Sequence, residues 1–211
     1  GTFDGQNHTI SGLYFNNDST DYVGLFGYNN SGTIKNVGII DSYFKGRNYV
    51  GSVCGFNYST IENSYNTGSV SGFSYVGGVC GYNYDSNSTI ENSYNTGSVS
   101  GSSNSVGGVC GWNYNGTITN IYNTGSVSGS SHVGGVCGDN YKGTITNIYN
   151  TGSVSGFSYV GGVCGYNKGT IENSYNTGSI SGSSDYVGGV CGDNYGKIEN
   201  SYYLENCNAE G

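Results

Sequence analysis

Six cysteines recur along this 211-residue chain, Cys54, Cys80, Cys110, Cys137, Cys164 and Cys191, at intervals of 26, 30, 27, 27 and 27 residues. Thiols in such numbers suit disulfide staples, metal ligation or nucleophilic chemistry, and each of these needs a particular neighbour. A metal array needs a second Cys or a His at ligand spacing, and the two histidines, His8 and His132, are isolated. If the thiols stack in register on neighbouring parallel strands, they stand near the strand spacing of about 4.8 Å. A disulfide requires Cβ atoms about 3.5–4.5 Å apart with converging vectors. The column is therefore read as a ladder of free, buried, small hydrophobes rather than staples. Cys207 lies outside it near the terminus and is expected to be the most accessible thiol.

Carboxylates offer a second chemistry. Glu62 and Glu91 fall in one repeat column, as do Glu172 and Glu199, and two carboxylates at rung spacing can share a proton or a cation. The same column also holds Lys35, Thr119 and Thr146, so the plainer reading is a row of solvated, outward side chains. Asp139 and Asp193 replace aromatic residues of other copies, which reads as a tolerant corner. Catalytic signatures are missing from the sequence. There is no His-Glu-x-x-His, Gly68-Ser69-Val70-Ser71-Gly72 has valine where a nucleophile elbow needs serine, and Gly77-Gly78-Val79-Cys80-Gly81 lacks the lysine of a phosphate loop. No catalytic residue, metal or cofactor is expected.

Tyr65, Tyr94, Tyr122, Tyr149, Tyr175 and Tyr202 form the candidate working surface. Rings on an exposed rigid face can stack on a sugar or pack against a protein, or stack on one another to stabilise a sheet. A third array, Thr67, Thr96, Thr124, Thr151 and Thr177 with serines two places on, has the hydroxyl density of an ice-binding face. Its Asn before and Gly after mark a turn rather than a flat strand.

Positioning these columns falls to a repeat. Val-Gly-Gly-Val-Cys-Gly, then Thr-Ile-x-Asn, then Tyr-Asn-Thr-Gly-Ser-Val-Ser-Gly recurs about six times, after a degenerate copy with Phe26 in the cysteine place. Forty glycines and only 34% hydrophobic residues would ordinarily suggest a flexible tract. The apolar residues nevertheless keep fixed columns, Ile34, Ile61, Ile90, Ile118, Ile145, Ile171 and Ile198 in one and Val70, Val99, Val127, Val154 and Ile180 in another. Short pieces rich in Val, Ile, Thr and Tyr, bounded by Gly, Asn and Ser, read as strands and turns, with no helix signal. The expected fold is all-β: a single parallel β-helix, right-handed by strand twist, with about 27 residues and three short strands per coil and about seven coils. One domain spans 1–211, with a lead-in coil over 1–22, repeats over 23–206 and a tail over 207–211. Proline is absent, as suits strands that donate hydrogen bonds throughout. The long interval before Cys110 should bulge at polar corners, Tyr84 to Ser88 and Ser102 to Ser105.

Columns also give side-chain direction. Three places after the isoleucines stand Val37, Ser64, Ser93, Ile121, Ile148, Ser174 and Ser201, small or aliphatic as a tight interior accepts. Four places after stands Gly38 or a tyrosine, so that column faces outward. Asn36, Asn63, Asn92, Asn120, Asn147, Asn173 and Asn200 should occupy a bend where amides bond to one another. Val76 and Cys80 share a face by alternation and Val79 takes the other, so burying both Val79 and Cys80 requires a bulge or bend at the glycine pair.

These residues resemble the GLUG repeat family. Val79-Cys80-Gly81-Tyr82-Asn83 and Thr89-Ile90-Glu91-Asn92-Ser93-Tyr94-Asn95-Thr96-Gly97-Ser98-Val99-Ser100-Gly101 match its pattern, and Gly1-Thr2-Phe3-Asp4-Gly5-Gln6-Asn7-His8-Thr9-Ile10 looks like the segment preceding such repeats. The family occurs in large exported bacterial proteins, including adhesin-like surface proteins and immunoglobulin-cleaving metalloproteases, and carries no catalytic residues within the repeat. The resemblance implies a non-catalytic structural or adhesin-like segment, extracellular or at the cell surface, with a host glycan or protein and neighbouring domains of its own chain as partners. An accessory region of a large secreted protease and a carbohydrate-active β-helix enzyme are the alternatives. Cysteine where the family has an aliphatic residue is a departure that suits a habitat without strong oxidants. A formal charge of −8 with six Lys+Arg leaves no basic stripe for nucleic acid, and no apolar run approaches the about 18 residues of a membrane span. The chain lacks methionine and opens on Gly1, which is read as a piece of a longer protein whose export signal lies upstream.

Overall fold

A computed structural model describes residues 1–204. Among them the strands pair in parallel from coil to coil, Cys54 with Cys80, Cys80 with Cys110 and Cys110 with Cys137, in a β-solenoid of about seven turns. Three sheets wrap the coil, of seventeen, seven and six strands. In the second cysteine-bearing turn of the sequence, Ser74–Gly77 lies in the six-stranded sheet, Cys80–Tyr84, Thr89–Glu91 and Tyr94–Asn95 in the seventeen-stranded sheet, and Val99–Gly101 in the seven-stranded sheet. The three sides are thus as expected, but bends divide the largest into shorter pieces.

The core is a bundle of columns rather than layers. Val76, Val79, Cys80 and Ile90 are fully buried, as are Val106, Val109, Cys110 and Ile118 one coil on. The parity conflict at Val79 and Cys80 is resolved by a bend at Gly78 and Val79, between the strands ending at Gly77 and beginning at Cys80. All six described cysteines are free and five are buried. Burial pushes the Cys54 thiol up to about 12, so this thiol behaves as packing rather than as a nucleophile. Cys207 lies outside the described residues.

The column after the isoleucines explains where strands break. Ser64, Ser93 and Ser174 are buried, and each hydroxyl donates to the carbonyl two residues back, at Glu62, Glu91 and Glu172, over 2.8 Å. The Ser93 hydroxyl also accepts the Ser64 N–H from the coil before, at 3.1 Å. A hydroxyl that takes a backbone donor from the ladder interrupts it. Where Ile121 and Ile148 stand instead, the strands run unbroken as Thr117–Asn123 and Cys137–Asn150.

Two asparagine ladders run along the interior. Asn66, Asn95, Asn123 and Asn150 are fully buried and linked by amide-to-amide bonds of 2.8, 2.9 and 2.9 Å. Asn57, Asn83, Asn113 and Asn140 form the other, with links of 2.8, 2.9 and 2.9 Å. Asn123 shows the full pattern. Its Nδ2 donates to Gly125 O at 2.9 Å and to Asn150 Oδ1, while its Oδ1 accepts from Gly125 N at 3.2 Å and from Asn95 Nδ2. Each amide therefore closes its own corner and joins the next coil with no polar atom left over. The glycine pair follows from this, because a Cβ on Gly108 would come within 2.6 Å of Asn123 Cγ.

The outer asparagines take the bend expected of them. Asn92, Asn120 and Asn147 are left-handed, with φ of 48°, 54° and 56°, and Asn120 donates to Asn92 at 3.1 Å from the exposed surface. The two kinds of asparagine should separate in a denaturation experiment. Asn123→Ala strands four buried partners and should lower unfolding free energy by about 3 kcal/mol or more. Asn120→Ala should cost about 1 kcal/mol through its left-handed backbone, and Asn120→Gly almost nothing. Comparable losses for Asn123→Ala and Asn120→Ala would show that the buried ladder is not a main restraint.

Candidate functional site

The tyrosine column faces outward from the seventeen-stranded sheet. Tyr65 and Tyr94 are half-buried, while Tyr122, Tyr149, Tyr175 and Tyr202 are exposed. All but Tyr202 are followed by a ladder asparagine, Asn66 after Tyr65 and Asn123 after Tyr122, so the amides inside hold the backbone of the column in register. Tyr65, Tyr94 and Tyr122 stack nearly parallel, with centroids 4.6 and 4.5 Å apart and planes within 3° and 8°. Tyr149 and Tyr175 form a second stack at 5.7 Å. No ring contact joins Tyr122 to Tyr149 among the described residues, although their backbones pair. Within a stack the faces are turned to neighbours, and solvent meets ring edges and hydroxyls. The stripe starts at Gly38 because the Tyr65 ring lies where a Cβ there would sit. Burial and the neighbouring phenols push Tyr94 up to about 12, so its hydroxyl remains a donor at neutral pH.

A second aromatic surface, which sequence reasoning missed, is denser. Tyr49 and Tyr75 occupy the left-handed region at φ 57°, a costly place for a bulky side chain. Their rings stack at 5.0 Å. Phe56, Tyr82 and Trp112, two places after the cysteines, interleave with them. Tyr82 lies 5.7 Å from Tyr49 and 6.0 Å from Tyr75, and Trp112 stacks on Tyr75 at 5.2 Å. Tyr58, Tyr84 and Tyr114 flank this row, Tyr84 stacking on Tyr114 at 5.0 Å. Aromatic residues recurring five places before and two places after most of the repeated cysteines were the available signal.

One junction of this surface is polar. Ser105 and His132 take the left-handed position of the tyrosines, with φ 61° and 50°, and Asp139 takes the ring position between them. Asp139 is buried, accepts a hydrogen bond from the Ser105 hydroxyl and lies 3.0 Å from His132 Nδ1. The expectation of a tolerant corner at Asp139 is therefore corrected: its carboxylate holds two side chains from two coils. His132 also stacks on Tyr166 at 5.0 Å. Burial disfavours the charged ring, but the hydrogen bond and charge of Asp139 outweigh it and hold His132 above its usual value.

The carboxylate column is shallow. Glu62 and Glu91 pair across strands, and burial with the Glu62 contact pushes Glu91 up. Lys35 lies 3.8 Å from Glu62, and Lys197 bridges Glu172 and Glu199 at 3.9 and 2.9 Å. No group of three or more potential metal ligands is found among the described residues. Thr67, Thr96 and Thr124 are exposed at corners outside the strands, so they form no flat hydroxyl face.

Residues 46–71, 74–100, 102–128 and 158–181 match the GLUG motif. A stretch of 73 residues, 34% of this chain and 1% of the relative, is 40% identical to halomucin of Haloquadratum walsbyi. A crystal structure of a protein from Bacteroides ovatus, named as a candidate immunoglobulin A1 protease, superposes with a TM-score of 0.65 at 25% identity over 97% of this chain. The chain spans 60% of that structure and a hundredth of halomucin.

Two measurements test this placement. Ile118 is fully buried and Tyr122 is 38% exposed, so Ile118→Ala should cost about 2–5 kcal/mol and Tyr122→Ala about 1 kcal/mol or less. Equal, large losses would mean that the rings carry the core. A histidine whose folded pKa is raised contributes stability below its unfolded value of about 6.5 and loses it as pH rises through the folded value. The stability difference between wild type and His132→Asn should therefore shrink as pH rises from about 6 to 8, and Asp139→Asn should lower the His132 midpoint followed by NMR. A pH-independent difference would rule out the ion pair.

Proposed function

We propose that this chain of GLUG repeats is a non-catalytic binding and spacing segment of a larger secreted or cell-surface bacterial protein. The observation that carries the reading is the outward tyrosine stripe, in which Tyr65, Tyr94 and Tyr122 stack 4.5–4.6 Å apart on strands kept in register by an interior amide ladder. Such a rigid row offers hydroxyl donors at fixed intervals and ring faces where the stack is interrupted. Tyr122 and Tyr149, 38% and 44% exposed, border that interruption and are the proposed centre of contact with a host glycan or protein. The extracellular setting is supported by the GLUG match and by the likeness to halomucin. A second reading, an accessory region beside the catalytic part of a secreted protease, is supported by the superposition on the Bacteroides ovatus protein. Both readings assign this segment no chemistry of its own. The carbohydrate-active enzyme finds less support, because the paired glutamates lie along an outer face beside Lys35 and Lys197 rather than around a cavity.

Screening wild type and a Tyr94→Ala/Tyr122→Ala variant against glycan and peptide arrays tests the stripe. Loss of a wild-type signal by about tenfold or more is expected, with the fold retained by circular dichroism. An unchanged profile would leave the rod a spacer.

A further inference from the structure

The chain's scarce positive charge is gathered at a different place. Six Lys+Arg stand against fourteen Asp+Glu, yet Lys45 and Arg47, the latter the sole arginine of the sequence, line one groove of about 710 Å³ with Ser71, Phe73, Ser100 and Ser102. The groove lies along the corner leaving the seven-stranded sheet, with Arg47 and Phe73 two residues before Tyr49 and Tyr75 of the second aromatic surface. Glycines at the turn, Gly46, Gly72 and Gly101, form its floor, and a Cβ on Gly72 would come 2.9 Å from Val76 Cγ2. The floor therefore cannot be filled by side chains without displacing the core.

Four features of the lining point to one kind of ligand. Arg47 is exposed, and its guanidinium makes no hydrogen bond or ion pair among the described residues, so its planar fork is free for a carboxylate. Phe73 is 50% exposed and takes part in no ring stack among the described residues. It is unlike the tyrosines in offering an open face, the surface that the C–H side of a pyranose packs against. Ser71 Oγ is buried without a hydrogen-bond partner, an unmet polar group in the groove wall that a ligand hydroxyl would satisfy. Asp18 is the carboxylate of the lining, and Lys45 lies 3.6 Å from it, offsetting its repulsion and leaving Arg47 as the net charge of the site. The volume is within the about 300–1,000 Å³ of small-ligand sites. Later coils carry Ser130 or Phe157 at the position of Arg47, so the combination occurs in one place on the rod.

We propose that this corner groove binds an acidic saccharide, with Arg47 on a sugar carboxylate, Phe73 under an adjoining pyranose ring and Ser71 on a ring hydroxyl. The site goes beyond the tyrosine stripe and stands or falls without it.

The test is calorimetric titration of the intact chain with an oligogalacturonate, a neutral oligogalactoside of the same length and an oligoglutamate peptide. The oligogalacturonate should bind, and should weaken by about tenfold or more in Arg47→Gln and in Phe73→Ala. It should also weaken between about 50 and 300 mM salt. Both residues are exposed, so melting temperatures should stay at the wild-type value and report that the fold is intact. Absence of oligogalacturonate binding, or equal binding by wild type and Arg47→Gln, overturns the proposal. Equally tight binding of the oligoglutamate, insensitive to Phe73→Ala, overturns the saccharide assignment in favour of an acidic peptide. Tyr94→Ala/Tyr122→Ala should leave this titration unchanged, which separates failure of the groove from failure of the stripe.

Discussion

Everything in this solenoid depends on keeping two buried asparagine ladders in register. A buried primary amide is tolerable only when both donors and its acceptor are used. Here that is achieved jointly, by the turn each residue closes and by the same residue of the next coil, as Asn95, Asn123 and Asn150 show. A slip of one residue would leave several such groups unpaired in an interior that water cannot reach. The period of the sequence is therefore an energetic requirement. Extra residues are confined to places that leave the ladders untouched, such as Ser86 and Asn87, which are exposed at a corner.

This restraint explains how a chain with 34% hydrophobic residues sustains a core. The apolar columns are thin, and valine, isoleucine and cysteine each occupy a fixed place. The remaining interior is supplied by polar residues that satisfy themselves, asparagine at two corners and serine at Ser64, Ser93 and Ser174. Glycine beside the amides is the complement. Gly108, Gly135 and Gly162 each face an asparagine across the coil where a Cβ would clash. The glycine content that composition alone assigns to flexibility is thus the consequence of close packing.

The repeat made the apolar columns, the outward tyrosines and the bend at Asn120 legible, because each is a property of one position compared across copies. Asn66 and Asn57 were not legible as core residues. Asparagine beside glycine reads as a turn, and a turn reads as surface, whereas these turns are closed from the inside. The left-handed tyrosines were hidden for a similar reason: propensity places glycine or asparagine at φ near 57°, and packing between Tyr49, Tyr75 and Tyr82 overrides it. The partnership of Ser105, His132 and Asp139 spans separations of 34 and 7 residues, and was visible only as three substitutions that occur in adjoining copies.

A perfect repeat gives every coil the same face, and a uniform face can recognise only a uniform partner. Stacking makes this sharper. Rings that satisfy one another along the rod, as Tyr65, Tyr94 and Tyr122 do, withdraw their faces from solvent and leave edges and hydroxyls. Distinct chemistry must therefore arise where the pattern fails: at the gap between Tyr122 and Tyr149, at the polar junction around Asp139, and at the corner where Arg47 stands among serines and Phe73. Such departures are cheap in this architecture, since the interior ladders hold register whatever the outer position carries. The fold separates what must stay constant from what can vary, and function is to be sought at the irregular positions.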